Sequence, residues 1–307
     1  MANLRDVRLR MKAIRQTLQV TKAMNLISTA KLRKGRRLLS DVEPFFTRIE
    51  KSMFDILSGA DIGGNRFLRR IEADGGKGTD AGDSSGGGKP ATAILAITSD
   101  KGLAGGYNAN IFRQVNDLCK KVSNPVLILV GDIGHRYFAH TPLKVLESFS
   151  FKSKLPDLEG ANEIAEYIIS HYLWGVFKEV HIVYTHMYSS IKLLPRDRQL
   201  LPLDENKMQE EFVRRGQKRV RLRFEFWPSK SEVFDHLVPL YIKGTVFGSL
   251  MEAYASEHSA RMTAMDQASK NAEDMLSRLT IHYNRVRQAG ITQEITEIIG
   301  GASALGH

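Results

Sequence analysis

A single cysteine, Cys119, stands in 307 residues, so the chain has no internal disulfide and no thiolate cluster to hold a metal. That fits a reducing compartment, and a lone cysteine on a helix reads as a small buried hydrophobe. Long apolar runs are absent as well. With no stretch of 18 or more apolar residues, no segment is a candidate membrane span. The N-terminus lacks an apolar signal core; its Arg-rich amphipathic pattern continues into a long helical one and reads as mature protein. Glycine and proline are nearly missing from both ends. Residues 1–58 hold only Gly35 and Pro44, and Ser249–Ala289 hold neither. Long uninterrupted helices are therefore permitted there. Acid is nearly missing from the first 40 residues, where Asp6 alone faces 11 Lys and Arg.

The formal charge of the chain is +10, and residues 1–40 alone carry +10 (11 basic minus one acidic). The remainder balances at 33 basic and 33 acidic residues (44 minus 11, and 34 minus one). A helix bearing Arg5, Arg8, Arg10, Lys12 and Arg15, then Lys31, Arg33, Lys34, Arg36 and Arg37, calls for an acidic partner. On one side of this helix Leu4, Val7, Met11, Ile14 and Leu18 follow at intervals of 3 and 4, the seam of a coiled coil. The register then meets polar Thr21, Asn25 and Ser28. The apolar stripe passes to Val20, Ala23, Met24, Ile27 and Ala30, so the buried face is expected to drift. At the other end a seam runs Met251, Ala255, His258, Met262, Met265, Ser269, Ala272, Leu276, Leu279, Tyr283, Val286. As a helix, Ser249–Ala289 spans about 60 Å. Pro239, near the start of this last element, predicts a kink or a first turn. The two ends are expected to pair antiparallel. Ile291, Ile295, Ile298, Ile299 and Leu305 are too many apolar residues for a free end, which predicts a tip seated inside something else.

Between the ends the pattern changes. Residues 63–88 hold nine glycines, and the stretch from Ala73 to Pro90 reads as a flexible insertion. Strands are predicted at Ala91–Thr98, Pro125–Gly131, Lys144–Phe151 and Val180–His186, with helices at Asn108–Val122, His135–His140 and Ala161–Phe177. This alternation implies a parallel sheet with helices on both faces. A last strand is predicted at Arg221–Trp227. The expected fold is α/β: a long antiparallel coiled coil of N- and C-terminal helices with an inserted Rossmann-like α/β domain. Its parts are an N-terminal coiled-coil helix (1–58), a linker with the Gly-rich insertion (59–90), an α/β globular domain (91–229) and a C-terminal coiled-coil helix (230–307).

The stretch ITSDKGLAGGYNANI, residues 97–111, sits between strand and helix as phosphate-binding loops do. It lacks the residues that would make it one. Gly105-Gly106 is followed by Tyr107 rather than Lys-Ser/Thr, and Gly102, Gly105 and Gly106 do not make G-x-G-x-x-G. It reads as a turn or contact loop. The nine histidines show no metal-ligand spacing; His181 and His186 lie along a strand, and His258 falls on the helical seam. No G-x-S-x-G occurs, and Glu210-Glu211 lies in a charged loop. Catalytic, cofactor and metal residues are thus expected to be absent. On residues alone, two other readings stay open. One is a nucleic-acid-binding coiled-coil protein using the basic first helix, which leaves the apolar tip unexplained. The other is a nucleotide-binding enzyme on the α/β domain, against which the failed loop motifs argue.

Three blocks carry a resemblance. SEHSARMTAMDQASKNAEDMLSRLTIHYNRVRQAGITQEITEIIGGASAL closely resembles the C-terminal helix of the gamma subunit family of F-type ATP synthases. IRQTLQVTKAMNLISTAKLRK resembles the family's first helix, and SDKGLAGGYNANI its central glycine loop, all in the family's order. The resemblance implies a non-catalytic central shaft standing in a ring of alpha and beta subunits. With the epsilon subunit, its globular part rests on the membrane c-ring. Ion flow turns the c-ring, and ATP chemistry takes place on beta. By motif, it implies subunit contacts at Met24, beside an acidic beta loop, at Arg261, and at Arg287, Gln288, Thr292, Glu294 and Glu297. Phe224 to Trp227 are candidates to face the c-ring. No cofactor and no nucleic acid are implied, and membrane contact comes only through the complex. The family's usual loop cysteine is Ala104 here, and Cys119 alone cannot form a regulatory dithiol. That points to a bacterial protein, peripheral on the cytoplasmic face of the cell membrane.

Overall fold

A computed structural model describes residues 4–57, 65–68, 89–152, 154–189, 192–204, 227 and 229–305. In chain order the elements are α1 (Leu4–Leu57), β1 (Ala91–Ile97), α2 (Tyr107–Lys121), β2 (Pro125–Val130), α3 (Asp132–Phe138) and β3 (Lys144–Phe149). Then come α4 (Leu158–Leu173), β4 (Phe177–Met187), β5 (Leu193–Leu201) and α5 (Lys230–Leu305). Two compact units divide the chain. One comprises Met1–Ala30 and Arg261–His307; the other comprises Lys31–Ala260. Both long helices contribute to both units.

The larger unit is built on a five-stranded sheet of order β3-β2-β1-β4-β5. β1 lies between β2 and β4 and is parallel to both. Covered on both faces, its run ATAILAI is buried at every position and shows no alternation. Side chains leave successive positions toward opposite faces. Leu95, Ile128, Ile182 and Tyr184 belong to one core with Ile164 and Ile168 of α4, Met53 and Ile56 of α1, and Phe234, Val238, Ile242, Val246 and Leu250 of α5. Ile94, Ala96, Leu127, Leu129 and Val183 belong to the other, with Ile111 and Val115 of α2 and Phe138 of α3. The α5 positions recur every four residues, so one face of the helix lies along the sheet. At Gly244 an added Cβ would stand 2.2 Å from the Phe46 ring, so α1 and α5 approach too closely there for any side chain.

The predicted parallel sheet needs one correction. β5 joins β4 antiparallel at the edge, with Pro195 opposite Thr185. Its stretch LLPRDRQLL hides the strand pattern behind a proline and three charges, and an edge is where a sheet tolerates both. The predicted helix Ala161–Phe177 ends at Leu173, and Phe177 opens β4. Pro239 lies inside α5, past its first turn. The strand predicted at Arg221–Trp227 lies outside the described residues apart from exposed Trp227, as does the insertion at 73–90 apart from Lys89 and Pro90.

In the smaller unit the ends of α1 and α5 pair antiparallel. Arg8 Nη2 donates to Tyr283 Oη at 2.8 Å, the Thr21 and Ser269 hydroxyls meet at 2.8 Å, and Asn25 Nδ2 donates to Met262 O at 3.1 Å. Lys22 pairs with Glu273 at 2.7 Å. The α5 seam residues of this unit, Met262 to Val286, are all buried or half-buried.

Against α5, the buried line of α1 does not follow the apolar stripe. The buried line continues through Thr21, Asn25 and Ser28, while Val20 and Ile27 are each 57% exposed and Ala23 and Ala30 face outward. Polar partners from α5 satisfy the polar seam residues, so nothing forces the face to turn. Thr21→Val should leave the Ser269 hydroxyl buried without its partner and cost about 1–3 kcal/mol in urea unfolding. Adding Ser269→Ala should recover most of that loss; a double variant as weak as the sum of the singles would refute the pairing.

Candidate functional site

The strand order locates the place where such a fold ordinarily binds a ligand. The chain leaves β1 toward β2 and β3, then returns to lay β4 on the other side of β1. The crevice beyond the carboxyl ends of β1 and β4 is the topological switch point. The glycine loop enters it from β1, and Thr185–Met187 enters from β4.

Several polar side chains of the loop are bonded within the fold. Thr98 Oγ1 donates to Val130 O at 2.7 Å and accepts from Gly134 N at 3.1 Å. Ser99 O accepts from Ile133 N at 3.1 Å, and Asn108 Nδ2 donates to Ser99 Oγ at 2.8 Å. Asp100 Oδ1 accepts from Asp132 N and from Ser150 Oγ. These bonds brace the ends of β1, β2 and β3 against one another. Leu103 and Gly105 take positive φ (64° and 57°), turning the chain tightly into α2. The side chains of Thr98, Ser99, Asp100 and Asn108 thus serve the fold at the head of the loop.

The crevice itself is filled by α5. Ser256 Oγ donates to the carbonyl of Thr185 at 2.9 Å, and Tyr107 Oη donates to the carbonyl of Ala253 at 3.3 Å; both bonds are buried. Glu252 pairs with Nδ1 of His186 and accepts from the backbone N–H of Met187. Burial pushes the Glu252 carboxyl above its ordinary 4.5, against the opposing pull of His186 and Arg196.

Beside this contact a cleft of about 520 Å³ remains, lined by Glu43, Glu50, His186, Arg196, Arg198 and Glu252 among others. Arg198 lies 3.7 Å from Glu50 and donates to Tyr241 Oη at 2.8 Å. Cys119 is half-buried and burial pushes its thiol up, so it packs rather than reacts.

The expected contact residues fall on the smaller unit. Met24 is half-buried and Arg261 is buried, at one level of the helix pair beside the Asn25–Met262 bond. Arg287, Gln288, Thr292, Glu294 and Glu297 are all exposed on one stretch of α5. Gln293 Nε2 donates to Glu297 Oε1 at 3.0 Å, within the helix. The same stretch exposes Ile281, Ile291, Ile295, Ile298 and Ile299, with Ile298 at 71%. Tyr107, His186, Glu252 and Ser256 carry no shared signal in the sequence. They come together only because the sheet topology opens a crevice at α5.

A family profile described as ATP synthase matches residues 3–305. An ATP synthase gamma chain of Ruminiclostridium cellulolyticum is 40% identical over 305 residues, 99% of each chain. The chain belongs to the ATP synthase gamma chain family. Another relative, the sodium ion specific ATP synthase gamma chain of Acetobacterium woodii, is 34% identical over 315 residues, 99% of each chain. The family fold recurs in a chain of the Euglena gracilis mitochondrial ATP synthase (OSCP/F1/c-ring), with TM-score 0.61 and 18% identity, covering 98% of this chain and 94% of that one. It recurs in the central stalk/c-ring structure of the Tetrahymena thermophila enzyme, with TM-score 0.56 and 21% identity, covering 81% and 99%. Among the described residues no helix is long and apolar enough to cross a membrane.

Two outcomes test the site. At Gly131 (φ +97°) an added Cβ would stand 2.5 Å from Thr98 O, so Gly131→Ala should lower stability by about 3 kcal/mol, read from the urea midpoint. Glu252 has a raised carboxyl, so its contribution to stability is complete below pH 4.5 and is lost as pH rises through the raised value. Glu252→Gln should remove that fall from the curve of melting temperature against pH; an unchanged slope would contradict it.

Proposed function

We propose that this chain is the central shaft of an F-type ATP synthase, coupling ion-driven rotation of the membrane c-ring to conformational change at the beta-subunit catalytic sites. The observation that carries the reading is the row of exposed isoleucines from Ile281 to Ile299 on a helix of a gamma-chain family member. A free helix in water would not keep such a row, whereas a sleeve of alpha and beta subunits would bury it. At roughly 1.5–3 kcal/mol for each fully buried isoleucine, that sleeve supplies the cover the helix pair lacks. Val20 and Ile27 on α1 add a second uncovered apolar line in the same unit.

In this reading the chain performs no chemistry, and ATP is made or hydrolysed on beta. The switch-point crevice supports this: the Thr185 carbonyl and the Tyr107 hydroxyl there are bonded to α5. Met24, Arg261, Arg287, Gln288, Thr292, Glu294 and Glu297 are the subunit contacts. The exposed Arg5, Arg8, Arg10, Lys12 and Arg15 of α1 meet an acidic beta loop and steer assembly. The sheet unit works with the epsilon subunit on the c-ring. The complex sits on the cytoplasmic face of a bacterial membrane, and this chain reaches the membrane only through it.

Mixing the chain with alpha and beta subunits should yield a stable ATPase complex; failure to co-assemble would sink the shaft reading. Within it, removing Ile291–His307 should weaken torque transfer or assembly more than removing Ala73–Lys89. Equal effects would count against a sleeve around the tip.

A further inference from the structure

The shaft reading requires torque to pass between the sheet unit and α5, and besides the Arg198–Tyr241 bond from β5, directed bonds join the two at the end of β4. Apolar packing along the face of α5 holds the helix down and its interdigitation opposes sliding and twisting, but it fixes no bond direction. Hydrogen bonds at fixed angles resist both. Residues 252–256 of α5 make three such bonds and one ion pair, four ties in all. Ser256 Oγ reaches Thr185 O, Tyr107 Oη reaches Ala253 O, the Glu252 carboxylate meets the His186 ring, and the Met187 N–H also donates to it. Three of the four engage consecutive positions at the end of β4, and the fourth comes from the first residue of α2. The helix is therefore gripped from both sides of the switch point, by β4 and by the loop that follows β1.

The ties sit where a doubly wound sheet offers a ligand its binding crevice, and here the occupant is a helix of the same chain. Ser256 is fully buried, and an unmade bond there would leave a carbonyl and a hydroxyl both dry. We infer that Tyr107, His186, Glu252 and Ser256 are positioning residues that form the torque joint between sheet and shaft helix. This rests on the shaft reading. The glycine loop serves the same joint, because its tight turn sets Tyr107 at the start of α2, within reach of α5.

The test uses complete complexes carrying the native chain, the Ser256→Ala/His186→Ala double variant, or Ser256→Thr. Two rates are read, ATP hydrolysis by the detached assembly of this chain with alpha and beta, and ion-driven ATP synthesis by the membrane-reconstituted complex. The detached assembly needs only the tip of α5, whereas synthesis needs the joint. Hydrolysis should hold while synthesis falls roughly fivefold in the double variant, the scale of losing one or two buried polar ties. Ser256→Thr keeps the hydroxyl and should stay near native. Native synthesis rates in the double variant overturn the joint. A parallel fall of both rates, with a lower melting temperature of the free chain, also overturns it, because that is a loss of fold alone. A native chain that enters no complex overturns the shaft reading before any variant is compared.

Discussion

Helix α5 between Lys230 and Ala260 must cover one apolar face, and the sheet is what it covers it with. Phe234, Val238, Ile242, Val246 and Leu250 present a line that only a broad apolar surface can match. The face formed by Leu95, Ile128, Ile182 and Tyr184 supplies it. Much else in the larger unit follows from this contact. The segment of α1 that packs beside α5 has to come close, and Gly244 permits the approach against Phe46. Strand β1, closed in on both sides, has to be buried throughout. Most consequentially, α5 passes across the switch point, and a fold that elsewhere holds small ligands there becomes a mount for a helix.

The helix pair of the smaller unit follows a different rule. Its seam is apolar near Val7 and Met11 and polar at Thr21, Asn25 and Ser28. A polar layer weakens a seam but allows only one register, because Thr21 must meet Ser269 and Asn25 must meet the Met262 carbonyl. For a part that transmits rotation, a fixed register matters more than maximal stability. The apolar residues displaced from the seam, Val20 and Ile27, stay on the surface, where they continue the demand for a partner that the isoleucines of α5 make more strongly.

Legibility divides along the same physical lines. The seam of α5 is readable residue by residue, since a 3.6-residue period exposes its buried face without knowledge of any neighbour. So are β1, β2 and β4, as apolar runs bounded by Gly, Pro and Asn. β5 is not readable, because an edge strand needs no apolar alternation and Pro195-Arg196-Asp197-Arg198 conceals it. The α1 seam misleads for a related reason. Period alone follows apolar residues, and it cannot foresee that Thr21 and Asn25 find polar partners 248 and 237 positions away. The residues of the glycine loop show that it lacks the phosphate-loop signatures. The partner of Tyr107 is invisible there, because it lies on an element 146 positions later.

By itself, then, the sequence determined what each segment is. It set two long helices, an apolar strand set between them, a basic first helix, an apolar tip, and the blocks that mark the gamma chain family. Those follow from local period, composition and motif, which do not depend on distant contacts. Only the tertiary structure decided what the segments do to one another. It settled which polar residues are paired and buried, which apolar ones are left uncovered, and that the crevice of an ordinarily ligand-binding sheet is closed by Ser256, Ala253 and Glu252 of α5. Burial and pairing are properties of surfaces brought together by the chain's course, and no local pattern encodes that course.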